Sequence, residues 1–545
     1  MKKYSIIAAI SIIGFLSLGA GVYNNDKLFE ISKNLEIFSN LYKELNTYYV
    51  DDIDPNKLMK VGIDAMVETL DPYTNYFSET QIETWRYLSE GKYEGIGANV
   101  QSIGDEITIV EPYEGYPAFE AGLKAGDIIL SIDGQSAKGK SSEDLGVLLR
   151  GVPGSAVTLE IKRPGTKEIK TFKVNRGEIK MSNVPYSGMV KNHVGYVVLT
   201  SFTQDAAKNI GAAITKLKND DPELKGLILD LRDNGGGLLI EAVNIVNLFV
   251  GANVEVVSTR GKVRDWDKVF STRGPALDQK LPVVVLINKR SASASEIVSG
   301  ALQDLDRGVL IGQRSYGKGL VQNTKDIGFN SKLKLTTSKY YIPSGRCIQS
   351  VSYHNGEPVD IPDSQRHVFR TKGGRKVLDG GGVSPDIFIT PDSGDAPIKV
   401  LLDSYVVFNF TTQYMITHPK IAPANQYVFN DFDDFMKYVE ANNYPFEIDS
   451  EKKLNELINS SKKDELYGAI NNDLNSLKSK IIKEKKSVLL KHKQQICNFI
   501  TKDIVSRVYN QHGKILNSIS HDSEVDEAIK LLNDPIRYNK ILSAN

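Results

Sequence analysis

Pro282-Val283-Val284-Val285-Leu286-Ile287, then Ser291-Ala292-Ser293-Ala294-Ser295, then Glu296-Ile297-Val298-Ser299-Gly300-Ala301-Leu302, is the stretch that decides the fold. The first run is apolar without alternation, as a strand buried on both faces must be. A turn of small residues follows, then a helix-like run. A second short apolar strand, Val309-Leu310-Ile311, leads into Gly317-Lys318-Gly319. Upstream, Val194 to Phe202 predicts a strand, Asp205 to Lys218 a helix, Gly226 to Leu231 a buried strand and Leu239 to Val250 another helix. Repeated strand–helix units predict a mainly parallel sheet covered by helices.

The same stretch carries a chemical pattern. Ser293 sits at a strand-to-helix turn, where unpaired amides and a partial positive charge suit a developing oxyanion. A serine hydroxyl needs a base to take its proton. No histidine lies between His193 and His354, which leaves Lys318, set between two glycines, as the nearest substitute. A lysine acts as base only when neutral, so burial must lower its pKa from about 10.4 towards about 7–8. The bland alternative is a serine-capped helix in ordinary α/β construction.

A nucleotide-binding alternative occupies the same residues. Gly312-Gln313-Arg314-Ser315-Tyr316-Gly317-Lys318 fits the first places of a phosphate-binding loop, with Asp230 as the acidic strand residue. It fails because position 319 is Gly rather than Ser or Thr, and because Leu320 to Thr324 reads as a strand.

Ser-Ala-Ser-Ala-Ser-Glu, with Lys318 in Gly-Lys-Gly and Gln322 beyond it, resembles the carboxyl-terminal processing peptidases, or tail-specific proteases. The resemblance covers roughly residues 27–395. It implies a crotonase/ClpP-like α/β peptidase core in a multidomain α/β chain. It also implies Ser293 as nucleophile, Lys318 as general base and Gln322 as the residue that steadies the lysine. Arg232-Asp233-Asn234-Gly235-Gly236-Gly237 ends the Gly226 strand. By resemblance, an amide here is one oxyanion donor, Gly236 with Gly235 and Gly237 also open, and Ala294 supplies the other. Glu296, three positions after Ser293, shares its helix face and could orient Ser293 or Lys318, or simply complement the helix dipole. Asp304 reads as structural. No metal or organic cofactor is implied.

Tyr93-Glu94-Gly95-Ile96-Gly97 is a glycine-rich turn, followed by short strands, Gly122-Leu123-Lys124-Ala125-Gly126-Asp127, the hairpin signal Asp133-Gly134 and a helix from Ser142 to Arg150. This order resembles a PDZ domain. In such a domain a peptide adds as a strand and its terminal carboxylate sits on loop amides. The carboxylate loop would be Glu94, Gly95, Ile96 and Gly97, with Leu145 and Leu149 lining the groove. The implied partners are proteins or peptides with free apolar C-termini.

The remaining chain is less informative. A chain of 545 residues implies several domains. Lys+Arg and Asp+Glu are 67 each, so nothing in the bulk charge favours nucleic acid. Only Cys347 and Cys497 are present, which excludes a disulfide scaffold and any multi-cysteine zinc site. Lys2 and Lys3 precede an uncharged run from Tyr4 to Tyr23, read as a signal peptide or signal anchor over 1–24. It implies export, periplasmic or anchored in the inner membrane, with membrane contact if the segment is retained. Residues 25–88 read as a helical segment ending at Asp71-Pro72, where Tyr73-Thr74 stands in place of the family's usual His-Ser. That segment is assigned no chemistry. The inserted PDZ domain takes 89–178, the core 179–395 and a helical extension 396–545, whose apolar stripes are core or interface; a homodimer is open. The function expected is a serine endopeptidase acting near protein C-termini. The competing class is an inactive peptide-binding adaptor.

Overall fold

The computed structural model describes residues 25–82, 91–354, 357–360, 362–390 and 396–543; the segment read as a signal or anchor lies outside them. Among the described residues, no helix is long and apolar enough to cross a membrane. The chain opens with α1 (Asn25–Tyr48) and α2 (Pro55–Glu68). Asp54 caps α2, accepting from the amides of Asn56 and Lys57, with Pro55 at the first helical position. The apolar stripe of α1 stays in solvent: Phe29, Leu35 and Leu41 are all more than half exposed. A turn at Asp71 then leads into β1 (Asn75–Phe77).

The inserted module leaves and rejoins the core through one two-stranded stalk. Strand β2 (Lys92–Gly95) runs out, and β8 (Gly177–Lys180) runs back antiparallel to it, Gly95 opposite Gly177. Between them lie β3 (Ala98–Ile103), β4 (Glu106–Pro112), β5 (Ile128–Ile132), α3 (Ser142–Leu149), β6 (Ala156–Lys162) and β7 (Ile169–Asn175). The sheet order is β3-β4-β5-β6-β7. Val157, Leu159 and Ile161 of β6 alternate inward, the period of a half-buried strand. They meet Ile107, Ile109, Ile129 and the inner face of α3.

The core contains β9 (Tyr186–Val190), β10 (Val194–Val198), α4 (Ala206–Asp220), β11 (Gly226–Asp230) and α5 (Leu239–Asn247). It continues with β12 (Glu255–Gly261), β13 (Lys268–Ser271), β14 (Val283–Ile287), α6 (Ala294–Asp304), β15 (Val309–Gly312), β16 (Leu320–Gly328), β17 (Ser331–Tyr341) and β18 (Ile387–Phe388). The main sheet runs β9-β10-β11-β14-β15-β18. It is parallel except for β9. A second sheet, β1-β17-β12-β13 with β16 paired to β17, stands beside it.

The unbroken apolar runs of β11 and β14 follow from burial on both faces. Leu227, Leu229, Val283, Val285 and Ile287 pack against α4, α5 and α6. The alternate residues Ile228, Val284 and Leu286 face the other way, and what covers them comes from the far end of the chain. The helices α7 (Ala396–Asp403), α8 (Val406–Thr417), α9 (Phe432–Ala441), α10 (Asp449–Lys463), α11 (Tyr467–Lys491) and α12 (Lys493–Ile519) come first. Most of them share a core around Phe410, Phe435, Ile496 and Ile500. Then α13 (Ser523–Leu532) and α14 (Pro535–Leu542) lay Val525, Ala528, Ile529, Leu532 and Tyr538 on the open face of the sheet.

The extension is helical, as its composition suggests. Its last helices are a layer of the core, because a parallel sheet needs both faces covered. In the extension, Ile496, Ile500 and Ile504 are fully buried and Leu474 is buried, whereas Leu466 and Leu477 are exposed.

Two polar anchors fix α13 and α14. The Tyr538 hydroxyl donates to the Val283 carbonyl and accepts from the Val283 amide, both at 3.0 Å. Arg232 binds Asp230 on its own strand end and reaches Asp522 and Glu524 at the start of α13, at 2.7 and 2.5 Å. Removing one partner from a buried ion cluster leaves the other charges uncompensated. Arg232→Ala is expected to destabilise the core by roughly 3 kcal/mol or more, read as a lowered urea midpoint for the core transition, with Arg232→Lys recovering only part of it.

Candidate active site

Ser293 occupies the turn between β14 and α6 with φ 58° and ψ −114°. That conformation is costly for a residue with a side chain and persists only where the surroundings over-determine it. Within 291–300 Ser293 alone is not fully buried, so the strained turn presents its hydroxyl while its neighbours form the core. The amide of Ala294, at the first position of α6, has no acceptor among the described residues, as expected of a helix N-terminus.

Glu296 holds this turn to Lys318. Its carboxylate is fully buried and accepts four hydrogen bonds. Oε2 takes the Ser293 amide at 2.8 Å and the Lys318 amide at 2.9 Å. Oε1 takes the Ser315 hydroxyl at 2.5 Å and the Gly317 amide at 2.7 Å. Burial pushes this carboxyl up to about 7, against the four donors that pull it down. Of the roles open to Glu296 in the sequence, the geometry selects the orienting one.

Tyr340 makes a second bridge. Its hydroxyl lies 2.6 Å from the Lys318 carbonyl and 3.1 Å from the Ser293 carbonyl, with the ring in the core. No chemical role for Tyr340 is read from the sequence. An aromatic pair in a β-rich run carries no signal of a bridging hydroxyl.

Lys318 is half-buried, between two glycines that cannot be replaced freely. A Cβ on Gly319 would lie 2.8 Å from the Gln349 amide, and Gly317 has φ 89°. Burial, and then the nearby Lys334, lower Lys318 to about 8, while Asp71 and Glu296 pull it upward. Gln322 differs from expectation. Its Nε2 donates to Thr336 Oγ1 at 3.1 Å, and Thr336 in turn donates to Asp71 Oδ1 at 3.2 Å. Its tie to the lysine thus runs through β17 and Asp71.

Gly236 lies against the nucleophile turn. A Cβ there would sit 2.8 Å from Ser293 Cβ and 2.9 Å from the Ala294 amide nitrogen, so only glycine fits. Its own amide, however, donates to Asn234 Oδ1 at 2.9 Å. In this conformation it is not available to an oxyanion. The amides of Gly235 and Gly237, the alternatives left open by the sequence, have no acceptor among the described residues. Asn234, which the sequence did not single out, organises this loop. It is fully buried, donates to the Leu199 carbonyl, and its own carbonyl accepts from the Ala292 amide and the Ser295 hydroxyl.

The inserted module departs from its expected binding loop. Glu94 and Gly95 are paired stalk residues of β2, which leaves only Ile96 and Gly97 in the turn. Leu145 and Leu149 belong to the buried module core rather than to an open groove. Arg176 closes that end of α3 by donating to the carbonyls of Leu148 and Leu149. A cavity of about 1210 Å³ lies between the module, its stalk and α8 and α12, and none of the predicted site residues lines it. Among the described residues, no three His, Cys, Asp or Glu side chains converge as a metal site. Asp304 is structural, paired with buried Arg346 at 2.9 Å. After Gly312–Lys318 the chain enters strand β16, not a helix that could cap a phosphate.

Comparison with known proteins places the same regions. The model of peptidase family S41 matches residues 193–355. A PDZ domain matches 108–163, and a probable PDZ-protease C-terminal helical domain matches 398–532. A carboxy-terminal-processing protease of Bartonella bacilliformis is 38% identical over 337 residues, covering 62% of this chain and 77% of that protein. A probable CtpA-like serine protease of Staphylococcus aureus is 34% identical, covering 66% and 72%. Among solved structures, a photosystem II D1 C-terminal processing protease is 28% identical, covers 65% of this chain and 92% of that one, and has a TM-score of 0.35.

All four partners of Glu296 are donors, so an amide in its place turns an N–H₂ group towards N–H or O–H groups. Glu296→Gln is expected to cost about 2–4 kcal/mol from two orphaned buried donors. It should also lower kcat about a hundredfold through the loosened Ser293–Lys318 spacing. Turnover of a peptide alongside thermal melting checks both; unchanged kcat would contradict the bridging role.

Proposed function

The chain belongs to peptidase family S41, a serine-type peptidase with a PDZ domain that binds peptides, and on that premise we propose that Ser293 and Lys318 form its catalytic dyad in cleavage near the C-terminal tails of exported proteins. The observation that carries this reading is the double bridge. One carboxylate, Glu296, and one hydroxyl, Tyr340, each bond to the backbone of both Ser293 and Lys318. Bridges of this kind hold a nucleophile and its base in register with no freedom left to the loop between them.

Neutral Lys318 takes the proton of Ser293 Oγ as that oxygen attacks the scissile carbonyl carbon. The resulting oxyanion is met by the Ala294 amide and by an amide of the glycine run, Gly237 or Gly235, or Gly236 once Asn234 releases it. The ammonium of Lys318 then gives its proton to the leaving amine, and the acyl-enzyme is hydrolysed by a water that Lys318 activates in the same way. The PDZ module delivers the tail by its free carboxylate and apolar last residues. Export of this chain and its substrates is supported by the basic-headed apolar run at its start.

The test is turnover of a peptide with an apolar C-terminus, run beside Ser293→Ala and a C-terminally amidated peptide. Cleavage is expected to vanish in Ser293→Ala and to weaken on amidation. Equal inertness of both proteins, with binding intact, would favour a peptide-binding adaptor instead. The pH dependence has a definite sign. The active form of Lys318 is neutral, so kcat/KM should rise with pH, fall about tenfold per unit below the lysine's pKa, and level off above about 8. A profile flat between pH 6 and 9 would overturn the base assignment.

A further inference from the structure

The turn that follows α2 passes directly over Lys318. Asp71 shapes it. Asp71 Oδ1 accepts the amides of Tyr73 and Thr74 at 2.8 and 2.9 Å, and Oδ2 accepts the Thr74 hydroxyl at 3.0 Å. Beyond the turn, β1 pairs with β17, Asn75 opposite Lys334. The Thr336 amide donates to Thr74 Oγ1 at 3.3 Å. The turn is thus fixed at both ends, and it places the Tyr73 ring face on the Lys318 ammonium, with Nζ 4.2 Å from the ring centroid. The Tyr73 hydroxyl donates to Tyr316 Oη at 3.3 Å, and the Tyr316 amide donates to the Ser291 carbonyl, two residues before Ser293.

We propose that Tyr73 is a positioning residue of the reaction, whose ring shields one side of neutral Lys318 from water and whose π-face receives the charge when the lysine takes the serine proton. This rests on Lys318 being the base. As the Ser293 Oγ–carbon bond forms, the proton moves from Oγ to Nζ and the lysine becomes a cation under the ring. When the C–N bond breaks, that proton passes to the leaving amine and Nζ is neutral again. A ring face attracts the ammonium but not the amine, so its stabilisation arises as the reaction proceeds, which is where stabilisation speeds a reaction. The other groups that bear on Lys318 act on it through their charges rather than through a ring face. Lys334 approaches from β17 and opposes the cation, whereas Asp71 from the turn and Glu296 from α6 favour it. The Tyr340 hydroxyl is engaged by the Lys318 backbone carbonyl rather than by the amine.

The two parts of this role make opposite predictions for two substitutions. In Tyr73→Leu the site stays covered but the π-face is lost, so the ammonium is less favoured. The acid limb of kcat/KM should then move to lower pH, by about 0.4–1.5 units. In Tyr73→Ala water reaches Nζ, desolvation is relieved, and the limb should move to higher pH. Tyr73→Phe keeps the face and should leave the limb where the wild type has it, even if the lost Tyr316 contact changes the rate. Fluorinated phenylalanines at position 73 keep the ring's shape while weakening its face, and should walk the limb downward in order of fluorination. This series decides the matter if Tyr73→Leu fails to fold.

All profiles are taken on the full chain with one peptide, beside Lys318→Met. A limb that persists unchanged in residual activity of Lys318→Met would sink the base assignment on which the proposal rests. A limb that depends on Lys318 but coincides in Tyr73→Leu, Tyr73→Ala and the fluorinated series, or moves the same way in all, would overturn the role of Tyr73 alone.

Discussion

Everything near Ser293 depends on one buried carboxylate meeting four donors. Leaving a charged carboxylate in a core without partners would cost several kcal/mol, and here the partners are the backbones that need to be held. Two oxygens of Glu296 collect the Ser293 amide, the Ser315 hydroxyl and the amides of Gly317 and Lys318. The Ser293 turn and the Lys318 loop are brought together only by tertiary structure, since α6 and β15 lie between them. A single hydrogen bond between two loops is worth about 1 kcal/mol and would let them drift. Four charge-assisted bonds to one immobile group are stronger and cooperative, and they define a distance.

That constraint also explains where the glycines are. With Ser293 forced to φ 58°, its Cβ and the Ala294 amide crowd the end of β11. The chain there can pass only as Gly236, and Asn234 spans the gap by bonding to Leu199, Ala292 and Ser295 at once. Gly317 and Gly319 answer the same crowding on the other side, against Ser350 and Gln349. Strain at Ser293 is held in place by close packing on both flanks, which a looser loop could not do.

How much of this was legible from the sequence follows from what kind of signal each part leaves. Strands β11 and β14 were plain, because burial on both faces writes an unbroken apolar run. The joint motif of Ser293, Lys318 and the glycine run was plain, and the structure brings the backbones of Ser293 and Lys318 onto one carboxylate. The bridging role of Glu296 was legible only as one of several, since an acid in the first turn of a helix has a dipole reason to be there. Tyr340, Asn234 and Tyr73 left no signal, because each acts through a contact with a residue far away in sequence. What the last helices of the extension pack against was hidden for a related reason. A helical stripe shows that a face is buried but not against what, so α13 and α14 read like the helices before them. Their partners, Val284 and Leu286, lie more than two hundred residues earlier. In the inserted module the strand order was right in outline. Glu94 and Gly95 were taken for a loop because a glycine turn and the end of a stalk strand look alike.

The surroundings of Lys318 set its protonation by more than burial. Full burial would drive the amine so far towards neutrality that it would hold a proton poorly and return it too readily. Full exposure would leave it protonated and useless as a base. Burial and Lys334 push one way, Asp71 and Glu296 the other, and the balance falls near 8. At that value the neutral amine lies within about one unit of neutral pH, so populating it costs only about 1–2 kcal/mol. Residues from three separate elements, β17, the Asp71 turn and α6, contribute to that balance. A segment from the N-terminal part of the chain therefore belongs to the site as much as the turn that carries Ser293.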